Sequence, residues 1–357
     1  MPDNGDLILV RAGKLLKADG RFAGNQCLVI RGGLIESITD GVEKEEGRRV
    51  LDLSSKTITP PFHDYHLHFS GRNSSGHIEA ETDLMKHGIF SVDEGGDSRG
   101  YGLEMERRLK SPFRVKACGY AIYRKGGYGK YIGRGVSDVH EAKGLIDELI
   151  SKGAGYIKVI NSGVFDPASG RITKGGFERD VLEKITGYAN KKGLDVTCHA
   201  NGDDRIRDAV LAGASSVVHG FSVSGETLHM MRERGVSFVP TVNALNSLKK
   251  VAKTQNEKYI IDIAVDAHLN AIKEASDAGV RVLPGSDAGP PFLPYGSSFI
   301  EELEFFRKAG MSPEQILAAA VTDLSLQGQR AVFIVLDGSR VEHVYVWKEN
   351  KLSLLEI

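Results

Sequence analysis

The sequence predicts a (β/α)₈ barrel flanked by a small β-sandwich that is built from both termini. Residues 1–57 contain short strands and turns, residues 58–330 alternate strand-like with helical runs, and residues 331–357 return to strand character. Alternating strands and helices indicate parallel β/α units, and about 250 residues are typical of a complete barrel. We therefore predict a sandwich domain over 1–57 and 331–357 and a barrel over 58–330.

The sandwich prediction rests on five apolar runs of strand length. They lie at 7–10, 26–30, 34–38, 332–336 and 344–347. The Arg-Gly-Gly segment at 31–33 predicts a hairpin turn, because paired glycines readily adopt positive φ. A phosphate-binding glycine loop is the alternative, but the segment matches no such motif and no helix follows it.

The barrel prediction rests on eight strand-like runs whose carboxyl ends can be placed. These ends are residue 68 and the segments 90–95, 114–119, 156–160, 194–199, 216–219, 236–240 and 280–287. Helix signals lie between them. A capping box starts at Asp138, Gly153 follows where a C-cap is expected, and Ser312 before Pro313 starts a late helix.

The composition is that of a globular protein of the cytoplasm. Of 357 residues, 41% are hydrophobic and 26% are charged, and the formal net charge of −1 favours neither nucleic acid nor an anionic membrane as a partner. Three widely spaced cysteines fit a reducing compartment. No signal peptide or membrane-spanning run is visible, so we expect a cytoplasmic protein with a small-molecule substrate and leave a homo-oligomer open.

The first strand of the barrel ends in a His-x-His pair. Successive side chains of a strand point to opposite faces, so His66 and His68 share one face. Two neutral imidazoles side by side are suitable metal ligands. Two half-buried structural histidines are the more frequent explanation of an isolated pair, so the choice depends on what later strand ends supply.

Later strand ends supply further ligand types, and chemistry in such barrels lies at those ends. Read in order, the series is His66, His68, Lys158, His199, His219 and Asp287. Lys158 needs its own explanation, because a buried ammonium beside a cation is costly. It either points outward, acts as a neutral base, or has reacted with carbon dioxide to give a carbamate whose oxygens bridge two metals.

These motifs together resemble the amidohydrolase superfamily, and within it the prolidase-like and imidazolonepropionase-like metal-dependent hydrolases. The motifs are Asp-Tyr-His-Leu-His at 64–68, Tyr-Ile-Lys-Val-Ile-Asn-Ser-Gly at 156–163, Thr-Cys-His-Ala-Asn-Gly at 197–202, Val-Val-His-Gly at 217–220 and Gly-Ser-Asp-Ala-Gly at 285–289. The resemblance covers nearly the whole chain.

The resemblance implies a binuclear centre of two divalent ions, with zinc expected and manganese or cobalt as alternatives. His66, His68 and Asp287 would bind the more buried ion and His199 and His219 the other. Carboxylated Lys158 and a hydroxide would bridge the two. Asp287 would also be catalytic, since it would take the hydroxide's proton and pass it to the leaving nitrogen.

Two segments depart from the family pattern. The usual Gly-x-Ile-x-x-Gly-Lys-x-Ala-Asp before the final Leu-Asp-Gly is missing, and 325–330 runs almost directly into the strand at 332. This trims the sandwich without removing a ligand. In the loop at 120–129, Tyr128 replaces a histidine that often follows Gly-Gly in the family, which leaves the substrate open.

The resulting hypothesis is a metal-dependent hydrolase that cleaves an amide bond of a dipeptide, N-acyl amino acid or cyclic amide. A mononuclear deaminase or imidazolonepropionase-type enzyme is the alternative, although no glutamate closely follows His199 as deaminases usually require. A lactonase or phosphotriesterase-like activity and a non-catalytic binding barrel are further alternatives. Tyr128, Arg124 and Asn201 are the candidate substrate contacts.

Overall fold

The computed structural model of the chain describes residues 7–41, 48–69, 75–109, 112–323, 325–338 and 340–355. The chain divides into two compact units. The first comprises Met1–His63, Glu81–Phe90 and Ser312–Ile357, and the second comprises Asp64–Ala80 and Ser91–Met311. The first unit extends beyond the predicted domain limits at residues 57 and 331, and those limits stay predictions.

Strands and helices alternate through the second unit, and strands dominate both ends of the chain. The strands are β1 Leu7–Leu16, β2 Phe22–Arg31, β3 Leu34–Asp40, β4 Arg49–Thr59, β5 Phe62–Leu67, β6 Ile89–Glu94, β7 Arg114–Ala117, β8 Ala121–Arg124, β9 Gly133–Val136, β10 Ile157–Ile160, β11 Phe165–Asp166, β12 Arg171–Ile172, β13 Val196–Ala200, β14 Ser216–His219, β15 Ser237–Val239, β16 Val332–Asp337, β17 Arg340–Lys348 and β18 Lys351–Leu355. The helices are α1 Ser75–Lys86, α2 Tyr101–Arg108, α3 Val139–Ser151, α4 Arg179–Lys191, α5 Asp203–Leu211, α6 Gly225–Arg234, α7 Val242–Ser247, α8 Gln255–Asp277, α9 Ser297–Lys308 and α10 Pro313–Ala319.

Both ends of the chain share one seven-stranded sheet, in the order β18-β17-β16-β4-β1-β2-β3. The predicted turn between β2 and β3 is present, with Gly32 at φ 54° and Gly33 at φ 82°. A Cβ on Gly33 would lie 2.5 Å from Cδ1 of Trp347, so this turn needs glycine for space as well as for conformation.

One apolar cluster joins the two ends of this sheet. It includes Val10, Ile30 and Ile35 from the first strands and Phe333 and Trp347 from the last ones, all buried. Side chains from opposite ends of one sheet meet in this way when the sheet curls over its own core. The sharing of one sheet by the termini agrees with the prediction, whereas a complete two-layer sandwich stays a prediction.

The second unit contains parallel sheets that carry the predicted strand ends. A six-stranded sheet has the order β15-β14-β13-β10-β8-β9, and a three-stranded sheet has the order β5-β6-β7. All pairs of the six-stranded sheet are parallel. Parallel strands joined by helices confirm the predicted mixed α/β class.

The predicted eighth strand at 280–287 is wrong as a regular strand. The segment forms two isolated parallel bridges, Val282 to Phe238 and Ala288 to Leu67. Pro284 has no N–H to donate to a ladder, and Asp287 adopts φ 52°, which is incompatible with extended backbone. The chain therefore bends sharply just where the predicted metal ligand lies.

The predicted helix ends are confirmed, except that Glu141 accepts from the N–H of Ser137 and not from that of Asp138, so the box predicted at Asp138 is half formed. Asp138 accepts hydrogen bonds from the N–H groups of His140 and Glu141, and Gly153 follows α3 at φ 89°. Ser312 and Gln315 form a reciprocal capping box before α10. Within the described residues, we find no helix with both the length and the apolar character needed to cross a bilayer.

Candidate metal centre

The end of β5 and the bend before Ala288 bring three candidate ligands together. Asp287 Oδ1 lies 3.4 Å from His66 Nε2 and 3.5 Å from His68 Nε2. The ligand atoms of these three residues all lie within 4.8 Å of one another. Ligands at about 2.0–2.1 Å from a tetrahedral zinc ion are about 3.3 Å apart. The observed spacing suits an ion between the three side chains.

Two glycines make room for these histidines. A Cβ on Gly95 would lie 2.4 Å from Cε1 of His66 and 2.8 Å from Cε1 of His68, and a Cβ on Gly285 would lie 2.9 Å from Cβ of His66. The imidazoles therefore pack against bare backbone. Asp287 is tied to the same strand, because its N–H donates to the carbonyl of His66 at 2.7 Å.

A second pair of histidines faces the first. The ring centroids of His199 and His219 are 4.5 Å apart, and the centroid of His219 is 5.5 Å from that of His66. His199 Nε2 lies 3.0 Å from the carbonyl oxygen of Gly163, which only accepts hydrogen bonds, so Nε2 carries the proton and the Nδ1 lone pair is available to a metal.

His219 reaches the site by an unusual backbone conformation. In the parallel register, His199 pairs with Val218 and His219 pairs with Ala200, so simple alternation would put the two histidines on opposite faces. His219 instead adopts φ 70° at the end of β14. Non-glycine residues rarely take this left-handed conformation, and such residues cluster at functional sites.

Lys158 lies in β10, beside Thr197 of β13, so it shares a face with His199. It is 1% exposed, and its Nζ has no hydrogen-bond partner in the described part of the chain. Burial lowers the pKa of Lys158 to about 8. An orphaned buried amine is costly unless a further group completes its surroundings.

The four histidines are neutral near pH 7. Burial lowers the pKa of His199 to about 4, and burial likewise lowers the pKa values of His66, His68 and His219. A neutral imidazole presents the lone pair that a metal needs. Neutral histidines, a carboxylate between two of them and an orphaned amine are together a donor set that fits divalent metal.

A cavity of about 780 Å³ opens over these side chains. Its walls are largely apolar, with Phe69, Ile132, Phe165 and Phe221 among them. Tyr128 also lines it, with its ring centroid 5.4 Å from that of His199. Tyr128 is 39% exposed, and its partial burial together with the nearby Asp287 carboxylate raises its pKa to about 12, so the phenol keeps its proton and remains a donor.

The other two predicted substrate contacts lie differently. Arg124 lines a neighbouring cavity of about 700 Å³. Its Nη1 lies 3.7 Å from Oε1 of Glu178 at the surface. Asn201 lines both cavities, but its side-chain amide donates to the carbonyl of Gly163 and accepts from the N–H of Phe221. Their roles in substrate binding stay predictions.

The sequence reasoning missed Arg99, which lines the cavity above the histidines. Among the residues that line this cavity, Lys158 and Arg99 carry the positive charges. The neighbouring Asp97 carboxylate accepts from the N–H groups of Arg99 and Tyr101, so it is engaged by backbone. The loop position of Arg99, five residues after the end of β6, was the available signal.

Residues 57–322 match the sequence profile of the amidohydrolase family. The chain belongs to the amidohydrolase family. It is a hydrolase that acts on carbon–nitrogen bonds, and metal binding is typical of this family. The match confirms the resemblance seen in the five sequence motifs and spans most of the chain.

Individual relatives align with nearly the full length of this chain. An ochratoxinase from Aspergillus niger is 24% identical over 418 aligned residues, which cover 98% of this chain and 85% of that protein. The crystal structure of a Xaa-Pro dipeptidase with bound methionine superimposes with a TM-score of 0.81 at 21% identity, covering 97% of this chain and 99% of that one. The crystal structure of A. niger ochratoxinase superimposes with a TM-score of 0.76 at 21% identity, covering 98% of this chain and 96% of that one. These structures share the fold of this chain.

Proposed function

We propose that this amidohydrolase cleaves an amide bond of a small substrate with the help of two divalent metal ions, zinc by preference. The observation that carries the proposal is the convergence of His66, His68 and Asp287 in a cavity that Lys158, with its orphaned amine, also lines. The first three would hold one ion, and His199 and His219 the other. Carboxylated Lys158 would contact both.

We also propose that an eight-stranded barrel is closed by β5, β6, β7, β10, β13, β14, β15 and the bent segment at 282–288, with β8 and β9 added beside β10. The bridge between Val282 and Phe238 joins the bent segment to β15, and the bridge between Ala288 and Leu67 joins it to β5. On the other side, the N–H of Gly155 donates to the carbonyl of Ala117 at 2.8 Å, which links β7 to the approach to β10. These contacts support a continuous ring of strands.

The chain's own groups account for the proton transfers. Divalent ions bound at this centre would lower the pKa of a water molecule and polarise the amide carbonyl. Asp287 carries a carboxylate at the middle of the ligand group and is 20% exposed to the cavity. Its oxygen accepts the proton of the attacking water and returns it to the leaving nitrogen, which must be protonated to depart.

Lys158 is suited to carboxylation. Carbon dioxide reacts with a neutral amine, forming an N–C bond and releasing a proton. Because burial lowers the pKa of Lys158 to about 8, a useful fraction of its amine is neutral at physiological pH. The product carries two oxygens in place of a buried ammonium, which removes the like charge beside the metal ligands.

Tyr128 is the proposed donor to the substrate carbonyl oxygen. We expect Tyr128→Phe to lower kcat by about 10²–10³-fold with a smaller change in KM, as for loss of one oxyanion donor. Steady-state kinetics on the preferred substrate measure both constants. The exposed Tyr259 of α8 offers a matched control, and Tyr259→Phe should leave both constants unchanged. Equal kcat in the two variants would remove Tyr128 from this role.

The cavity favours an amide with apolar substituents and a carboxylate. Its apolar walls match an aliphatic or aromatic side chain, and Arg99 supplies a guanidinium for a carboxylate. A panel of dipeptides and N-acyl amino acids tests this substrate class on metal-replete protein. Each compound is compared with the analogue in which a carboxamide replaces the free carboxylate. Turnover of lactones or phosphotriesters alone would contradict the proposal.

Metal content tests the centre itself. Protein produced with added zinc is expected to hold about two ions per chain, because two sets of ligands are available. Elemental analysis after removal of loosely bound zinc measures the ratio. One ion per chain would favour the mononuclear alternative, and no bound ion would end the metal-dependent proposal.

A further inference from the structure

The hydroxyl of Thr241 lies against a predicted metal ligand. Thr241 follows β15, is fully buried, and has its Oγ1 2.7 Å from Nδ1 of His219. Donation from Nδ1 to this hydroxyl leaves the Nε2 lone pair of His219 for a metal. Thr241 itself adopts φ 50°, which is a rare conformation for a β-branched residue. The surrounding structure must therefore hold it in place.

Glu302 of α9 fixes the backbone immediately after Thr241. Its side chain is fully buried, and its two carboxylate oxygens accept from the N–H of Val242 at 3.0 Å and of Asn243 at 2.8 Å. The amide of Asn243 in turn donates to the carbonyl of Ser298, also in α9, at 3.2 Å. The first turn of α7 is thus bound to α9 at three points.

His268 of α8 fixes the backbone immediately before Thr241. Its Nε2 lies 3.0 Å from the carbonyl oxygen of Pro240, and its ring packs edge-on against Phe221, with centroids 4.9 Å apart. Thr241 is consequently held on both sides by buried polar side chains from two different helices.

We propose that Glu302 is a positioning residue for His219, acting through Thr241. The carboxylate holds the start of α7, this start holds Thr241 in its left-handed conformation, and the threonine hydroxyl fixes the rotation and tautomer of His219. The inference rests on the proposed metal-dependent function, because it assigns Glu302 and Thr241 to the ion that His219 would bind.

Metal affinity provides the test, with Zn²⁺ in competition with a chelator and Co²⁺ followed by its visible absorption. Thr241→Val and Glu302→Gln should each weaken the binding of one of the two ions by about 10–100-fold. The affinity for the other ion should stay unchanged. Thr241→Ser keeps the hydroxyl and should restore the affinity. Thr186→Val serves as a matched control, since Thr186 is also fully buried and hydrogen-bonded but lies in α4.

The double variant separates positioning from a general loss of stability. Because both residues act on one imidazole, Thr241→Val with Glu302→Gln should lose no more affinity than the more affected single variant. Additive losses, or unchanged affinity for both ions in Thr241→Val, would overturn the inference. If Glu302→Gln does not fold, Glu302→Asp, which keeps the carboxylate but shortens its reach to the N–H groups of Val242 and Asn243, takes its place in the double variant. Unmodified protein that binds no ion would instead overturn the proposed function.

Discussion

Replacing Asp287 with asparagine is expected to lower kcat/KM by about 10²–10⁴-fold, because the amide keeps the size of the carboxylate but cannot take up a proton. Asp287 Oδ1 lies close to Nε2 of both His66 and His68, and the N–H of Asp287 donates to the carbonyl of His66. Steady-state kinetics on the metal-replete Asp287→Asn variant measure the change in kcat/KM. The bound metal is quantified in the same sample.

The metal measurement decides how a loss of rate in Asp287→Asn is interpreted. A loss that persists at full metal occupancy assigns the proton transfer to Asp287, whereas a rate within about tenfold of the unmodified enzyme would assign it to another group. Asp204→Asn is a suitable control, because Asp204 is an exposed aspartate of the neighbouring cavity. Its rate should equal that of the unmodified enzyme.

Replacing Lys158 with methionine is expected to have opposite effects on the metal-free and metal-loaded protein. Without metal and carbon dioxide, the variant should be more stable at pH 7 by about 3 kcal/mol, because burial lowers the pKa of Lys158 from 10.5 to about 8 and each unit corresponds to about 1.4 kcal/mol. With metal, it should bind about one ion instead of two, since the bridging ligand is lost.

The pH dependence gives this prediction its sign. Below about pH 8 the amine of Lys158 is protonated in both the folded and the unfolded chain. The full free-energy cost of burying the ammonium is therefore present. Between about pH 8 and 10.5 the unfolded chain holds more protons, and the unmodified protein gains stability as the pH rises. The advantage of Lys158→Met should therefore shrink over this interval.

Chemical denaturation of metal-free protein at pH 7 and pH 10 measures the difference in the free energy of unfolding. Lys130→Met is the control for a lysine at the surface, because Lys130 is exposed, and it should show no such pH-dependent difference. A stability difference between Lys158→Met and the unmodified protein that stays constant with pH would mean that the amine of Lys158 is not held in an unfavourable environment.

Local sequence patterns were sufficient where a single element decides the geometry. The two-residue period of a strand places His66 and His68 on one face, and both Nε2 atoms indeed approach the same oxygen of Asp287. The capping box at Ser312 and the glycine turn at 32 and 33 are likewise present. In each case the chemistry of a few neighbouring residues is enough to set the local conformation.

Long-range packing decided the rest. Strand alternation alone would turn His219 away from His199, and Pro284 and Asp287 interrupt the strand that was predicted through them. Arg124 was predicted from its loop alone, yet it lies beside Glu178, while the unpredicted Arg99 lines the cavity. Loop side chains are oriented by partners distant in sequence, and single-strand periodicity contains no information about those partners.

The sequence by itself determined the class of the fold, the family and the order of the candidate ligand types along the chain, because these depend on local periodicity and on motifs at strand ends. Only the tertiary structure decided which side chains meet and in what conformation. Three left-handed residues, His219, Thr241 and Asp287, lie at or just after the predicted strand ends. Their conformations are unfavourable in an isolated segment, and buried contacts from α8, α9 and β5 stabilise them.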